Sequence, residues 1–221
     1  MKYIIKRSKR RKNFAIKISQ STGEIMVYAP YNATKEKIQS VVNSKREWIE
    51  KYTNITDKRL NLLPRLLEGE KIYIAGGIYT ISYNDENVVF LQNDGKTLSL
   101  PRNNLKGGLK AFIKSVFLPY MVNKTQYFAT KFGFKYRLVR LKNAKRVWGS
   151  CSVDNVISYS LSLALIPEDL CDYIVLHELC HTLQKNHQKA YYQLLCSVLP
   201  DYKQRQNKLK EFNAYCRFLG E

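Results

Sequence analysis

The chain's three histidines, His177, His181 and His187, fall within eleven residues of a 221-residue sequence. Two of them belong to the run His177-Glu178-Leu179-Cys180-His181. On a helix, histidines four residues apart stand one turn apart on the same side. Two imidazoles so placed suit a divalent metal, usually zinc, which takes nitrogen ligands at about 2.0–2.1 Å; another divalent transition metal is the alternative. Glu178 sits beside the first histidine on the adjacent face, where a carboxylate reaches a metal-bound water as general base. The expected chemistry is metal-assisted hydrolysis.

His187 needs a separate argument. Ten residues of straight helix would carry it about 15 Å from His177, too far to share one ion. It becomes a third ligand only if the helix stops and the chain turns back. Gln184-Lys185-Asn186 offers that stop, because Asn tolerates the left-handed conformation and Lys suits a last turn. Metzincin proteases use the same spacing with a glycine at the bend. Gln184 stands there in this chain, so the motif is not theirs. The plainer reading, that a histidine on an apolar face is packed core, loses ground to the third histidine after a helix stop. Cys180, inside the motif, reads as a soft ligand or, pointing off the histidine face, as a small buried hydrophobe.

Composition bounds the rest. Hydrophobic residues make up 45% and charged residues 25%, which is ordinary for a globular chain of one or two domains. There is no apolar run of membrane-spanning length and no secretory h-region after the basic start. Five cysteines, at 151, 171, 180, 196 and 216, form no compact framework, so a reducing cytoplasm and no membrane partner are expected. The net charge is +19. Residues 95–153 hold thirteen Lys and Arg and no acid, and residues 1–12 hold seven basic residues and no acid. Such a field attracts nucleic acid, nucleotides or other polyanions, unless it is simply a solvated surface.

The elements that must position the motif follow from periodicity. Phe14, Ile16 and Ile18, then Ile25, Val27 and Ala29, alternate across a turn at Ser21-Thr22-Gly23, a hairpin pattern ended by Pro30. Residues 34–52 are expected to be helical with Thr34 as N-cap, and residues 53–68 to be a looser connection. Trp48 is expected in the core. Short β-rich runs at 71–75, 78–83, 88–92 and 97–100 complete an N-terminal, mostly antiparallel β domain over residues 1–101. Residues 102–221 form the second domain. A helix over 104–133 should be kinked or split by Pro119, and a strand should cover 135–142. A further strand is expected over 157–165 and the motif helix over 168–185, with helices at 188–199 and 202–219.

Trp148-Gly149-Ser150-Cys151-Ser152, the alternating 157–165 run, Tyr173 through His181, and Asn186-His187 together resemble the YgjP-like (SprT-related) metallopeptidases. The Arg-rich opening hairpin, Ala29-Pro30 and Trp48 near the end of the first helix also look like that family. The resemblance implies a zincin-like α+β catalytic half with an active-site helix. It implies His177, His181 and His187 as metal ligands and Glu178 as catalytic acid/base. Where the family pattern often has Arg directly before the Trp, this chain has Val147, with Arg146 one earlier; in a strand that shift reverses the face. Some members are described as nucleoside triphosphate pyrophosphohydrolases.

The leading expectation is therefore a zinc-dependent metallopeptidase. A peptide would add as a strand along an exposed sheet edge, with Trp148, Gly149, Ser150 and Cys151 as its rim or as a structural turn. The first alternative keeps the metal and takes a nucleoside triphosphate, without any Gly-rich phosphate loop. The second is a nucleic-acid-binding module with a structural metal, which would need no base beside its ligand.

Overall fold

Alternation in the first thirty residues closes into a small sheet. Strands β1 (Ile4–Ser8), β2 (Ala15–Ile18) and β3 (Ile25–Pro30) lie in the order β1-β3-β2. The expected antiparallel hairpin is β2–β3, while β1 joins β3 in parallel. The computed structural model describes residues 1–19 and 22–219; Ser21, expected in the hairpin turn, lies outside them. Ile25, Val27 and Ala29 are buried with Ile38, Val42 and Ile49 from helices α1 (Lys35–Ser44) and α2 (Arg46–Leu60). Thr34 caps α1 as expected, accepting from the Lys37 amide at 3.2 Å.

Two expectations fail here. The stretch after residue 52 continues as α2; only Ile49 and Thr56 are buried along it, so it shows no apolar stripe to read. Trp48 is 40% exposed rather than core. The helices break at Lys45 (φ −113°, ψ 14°), which turns Ile49 inward and leaves Trp48 outside, against Tyr52 at 4.8 Å between ring centroids.

The chain divides into compact units Met1–Leu63 and Pro64–Glu221, not near Pro101. Strands β4 (Lys71–Ile74), β5 (Gly77–Asn84), β6 (Phe90–Leu91) and β7 (Thr97–Pro101), in the order β4-β5-β7-β6, belong to the second unit. The Ala75 amide donates to the Ala164 carbonyl at 2.8 Å, which ties this sheet to the segment just before the motif helix. Three of the five strand pairings described over residues 1–101 are antiparallel, as expected. The pairs β1–β3 and β5–β7 are parallel, so both sheets are mixed.

Helix α3 (Leu105–Phe132) runs unbroken through Pro119. It is capped by Asn104, whose side chain accepts from the Gly107 amide at 3.1 Å, and stops at Gly133 with φ 73°, the left-handed C-cap that glycine tolerates. A third mixed sheet follows: β8 (Leu138–Lys142), β9 (Gly149–Cys151) and β10 (Val156–Ser160), in the order β8-β10-β9. The strand expected over 157–165 ends at Ser160 and becomes a 3-10 turn, Leu161–Leu165. Leu–Ser alternation implies one wet face, but Ser158, Ser160 and Ser162 are all buried. Ser160 instead donates its hydroxyl to the Ala144 carbonyl at 3.0 Å.

The motif helix is α4 (Glu168–Cys180), shorter than expected. It is buried on nearly every side, as an inner helix should be. Lys124 on α3 holds its first turn, bonded to Glu168 at 2.8 Å and to Asp172. Burial opposes the Lys124 charge, but these two carboxylates outweigh it and raise its pKa. That ion pair, with Arg102 on Asp85 at 3.3 Å, neutralises part of the acid-free basic span. Helices α5 (Lys189–Val198), α6 (Tyr202–Leu209) and α7 (Tyr215–Phe218) complete the unit, with a 3-10 turn at Lys210–Phe212 where a continuous last helix was expected. All five cysteines are free. Among the described residues no helix is long and apolar enough to cross a membrane.

Candidate metal centre

Helix α4 delivers His177 from its last turn and His181 from its C-cap. Beyond it the chain turns, with the Gln184 amide donating to the Cys180 carbonyl at 2.9 Å. This brings His187 back to its partners. His187 Nε2 lies 3.0 Å from His181 Nε2 and 3.2 Å from His177 Nε2. Donors on one tetrahedral zinc ion are about 3.4 Å apart, so the spacing is near what a shared ion needs. The ligand-type nitrogens of all three rings fall within 4.8 Å of one another. Among the described residues, the left-handed non-glycine positions are Leu66, Ala75, Asn87 and Asn155. The bend at 184–186 is therefore made without the left-handed Asn186 that was expected, and Gln184 needs no glycine's freedom.

The outer nitrogens bear on the fit. His181 Nδ1 is 2.9 Å from the Gln184 carbonyl. A carbonyl only accepts, so Nδ1 carries the proton and Nε2 presents a lone pair to its neighbours. Buried side-chain polar atoms without a hydrogen-bond partner, among the described residues, are Thr53 Oγ1, His177 Nδ1 and Glu178 Oε2. Two of the three lie here, and leaving such atoms unpaired costs about 1–3 kcal/mol each. Three converging imidazoles and a solitary carboxylate are the donor set of a divalent ion with its water, so the residues fit one. Cys180 is fully buried and outside this group, the small-hydrophobe reading.

Glu178 is 4% exposed and faces the same cleft of about 530 Å³ as the three histidines. A Cβ on Gly149 would stand 2.6 Å from its Oε1 and 2.8 Å from its Cγ. Gly149 thus leaves the room that the carboxylate occupies. Trp148, only 8% exposed, is packed, and its carbonyl accepts from the Ser160 amide at 2.8 Å. Ser150 is exposed and Cys151 half-buried on the cleft wall, while Val147 is exposed at its rim. Ser150 pairs with Ser158 across β9–β10, and the Ser152 amide donates to the Val156 carbonyl at 3.0 Å. Antiparallel alternation therefore turns the amides and carbonyls of Gly149 and Cys151 toward the free edge of β9.

Sequence reasoning missed three contributors. Tyr191 is fully buried, stacks on His181 at 4.5 Å between ring centroids and donates to the His177 carbonyl at 3.2 Å. Its one signal was a position one helical turn after His187. The Gln184 carbonyl is main chain and carries no sequence signal. Lys185 donates to the Ser152 carbonyl at 2.8 Å, pinning the bend to the turn after β9.

Burial, then the charges of His181 and His187, lower the His177 pKa from 6.5 to about 3. Burial also lowers that of His181. Burial alone raises Glu178 from 4.5 to about 8. In metal-stripped protein, the His177 contribution to stability is full above 6.5 and lost as pH falls toward about 3. The Glu178 contribution is full below 4.5 and lost as pH rises through about 8. The two slopes cancel between 4.5 and 6.5 and leave a plateau. Urea unfolding of chelator-treated protein across pH should show stability falling on both sides of it, and Glu178→Gln should flatten the alkaline limb. An alkaline limb unchanged by that substitution would refute the assignment.

UTP pyrophosphatase of Escherichia coli (strain K12) is 50% identical over 38 residues, which are 17% of this chain and 23% of that protein. The match therefore spans less than a quarter of the relative's length. The crystal structure of the metallopeptidase zymogen of Pyrococcus abyssi abylysin is similar with a TM-score of 0.38 and 18% identity, over 40% of this chain and 90% of that one. Residues 12–212 match the family described as YgjP-like, metallopeptidase domain, and with nearly its whole length accounted for the chain belongs to that family.

Proposed function

We propose that the chain is a zinc-dependent metallopeptidase with a zincin-like catalytic half, in which His177, His181 and His187 hold the metal and Glu178 is the general base. The observation that carries this reading is the convergence of three Nε2 atoms in one cleft with a buried, unpartnered carboxylate. A structural site would not need that carboxylate, which argues against a binding module. A zinc ion held by the three imidazoles would supply Lewis acidity and ease the loss of a proton from the attacking water near neutral pH. Glu178 takes that proton and returns it to the departing amide nitrogen. Burial of Glu178, which is 4% exposed, limits its contact with bulk water. The substrate lies extended along β9, its main chain paired with the outward groups of Gly149 and Cys151.

A second reading, hydrolysis of a nucleoside triphosphate to release pyrophosphate, is favoured by Lys185 and Lys210 in the cleft and by the name of the Escherichia coli relative. One paired assay separates them. Protein of measured zinc content is given an unstructured polypeptide and, separately, the common nucleoside triphosphates. Cleavage of the polypeptide, lost on chelation and restored by zinc, is the expected result. Pyrophosphate release without polypeptide cleavage would overturn the peptidase reading and install the second.

A further inference from the structure

The basic charge is concentrated in the first unit. Residues 1–63 hold fifteen Lys and Arg against five Asp and Glu, +10 of the chain's +19. Residues 1–23 hold eight basic residues and no acid. Register sets two of these cations, Lys6 and Lys17, on the outer face of the sheet β1-β3-β2. Ile25, Val27 and Ala29 turn inward to the core, so Met26 and Tyr28 turn outward. Register sets Lys6 and Ala15 on either side of Tyr28, and Ile4 and Lys17 on either side of Met26. Arg11 holds its guanidinium 5.1 Å from the centre of the Tyr28 ring. Just past the end of β3, Lys9 lies 5.5 Å from the ring centre of Tyr31, which is 61% exposed. Among the described residues, none of Lys6, Lys9, Arg11 and Lys17 has a carboxylate partner.

We propose that this face binds single-stranded nucleic acid, with bases stacking on Tyr28 and Tyr31 and phosphates meeting Lys6, Lys9, Arg11 and Lys17. Cations without acids make an electrostatic track for a polyanion. Aromatic rings interleaved with them select unpaired bases, because a base inside a duplex has no free π-face to offer. The cations now lying over the rings mark where a base would sit, and leaving frees them for phosphate. The helices of this unit are a poorer surface for nucleic acid. Glu36, Glu47, Glu50 and Asp57 are interspersed with their lysines and arginines, and Arg46 is already paired with Glu50 at 2.8 Å.

The test is fluorescence anisotropy of the full chain, metal-loaded, with labelled oligothymidylate, a duplex of the same length and polyglutamate. Oligothymidylate should bind at least about tenfold tighter than duplex at equal ionic strength, and polyglutamate weakly. Four phosphate contacts give a log–log salt slope of about −3. Tyr28→Ala should weaken oligothymidylate binding about 5- to 150-fold and Tyr28→Phe should not, because stacking needs only the ring. The exposed pair Lys6→Gln with Lys17→Gln reads the same face should Tyr28→Ala fail to fold, and should make the slope shallower by about 1.4. Equal affinity for all three probes, absence of binding, or indifference to the lysine pair would overturn the proposal and leave a solvated basic face.

Discussion

Glu178→Gln is expected to lower turnover by about 10²- to 10⁴-fold, the range for removing a positioned general base, while zinc content stays unchanged. The amide has the carboxylate's size, so the space left by Gly149 accepts it. It cannot take a proton from water at neutral pH. Metal retention follows because Glu178 is not among the three clustered imidazoles. Folding should not suffer. In the metal-free chain burial raises the carboxyl's pKa to about 8, so at neutral pH the substitution removes little charge from that fold, and the melt is compared on chelator-treated protein. The measurements are turnover of whichever substrate the paired assay identifies, zinc by atomic absorption, and a thermal melt. Full turnover with full zinc would end Glu178's role as base.

Gly149→Ala is expected to cost about 10²-fold in turnover, although residue 149 contributes no side chain to chemistry. The added Cβ would meet Oε1, Cγ and Cδ of Glu178 at 2.6, 2.8 and 3.0 Å, all inside contact distance. Glu178 is rooted in a helix packed on nearly every side, so its carboxylate must swing away. A displacement of about 1 Å at a reacting group is enough for a loss of that size. Overpacking should also cost about 1–3 kcal/mol of stability. If Gly149 acts through Glu178, then Gly149→Ala should lower the turnover of Glu178→Gln protein little further, because the two act as a unit. Ser150→Ala, one residue along and exposed, should change stability by less than about 0.5 kcal/mol. A Gly149→Ala enzyme with unimpaired turnover would show that the carboxylate has more room than the contacts imply.

The motif was legible because spacing along a helix maps directly onto a face. His177, Glu178 and His181 needed no knowledge of the rest of the chain, and a helix stop before His187 sufficed to suggest its return. How the return is made was not legible. It uses the Gln184 amide's bond to the Cys180 carbonyl and the His181 ring's bond to the Gln184 carbonyl, neither of which involves the side chain at 184. Gly149 was noticed as part of a rim, but its contact with Glu178 comes from packing β9 against α4, a non-local event. Trp48 and the 161–165 turn misled for related reasons. A one-residue break at Lys45 shifted the helical face, and buried serines imitated the wet side of a strand. The unit boundary was misplaced because the Ala75–Ala164 bond, which joins the second sheet to the motif half, spans nearly ninety residues.

The Gln184 carbonyl has a consequence for how this site can change over time. The group that sets the proton on His181 belongs to the peptide backbone, so mutation of the side chain at 184 does not delete it. Position 184 is free to drift through many residue types while the imidazole stays ready to ligate. What the site cannot absorb is an insertion or deletion between Cys180 and His187, which would move the carbonyl and the third ring together.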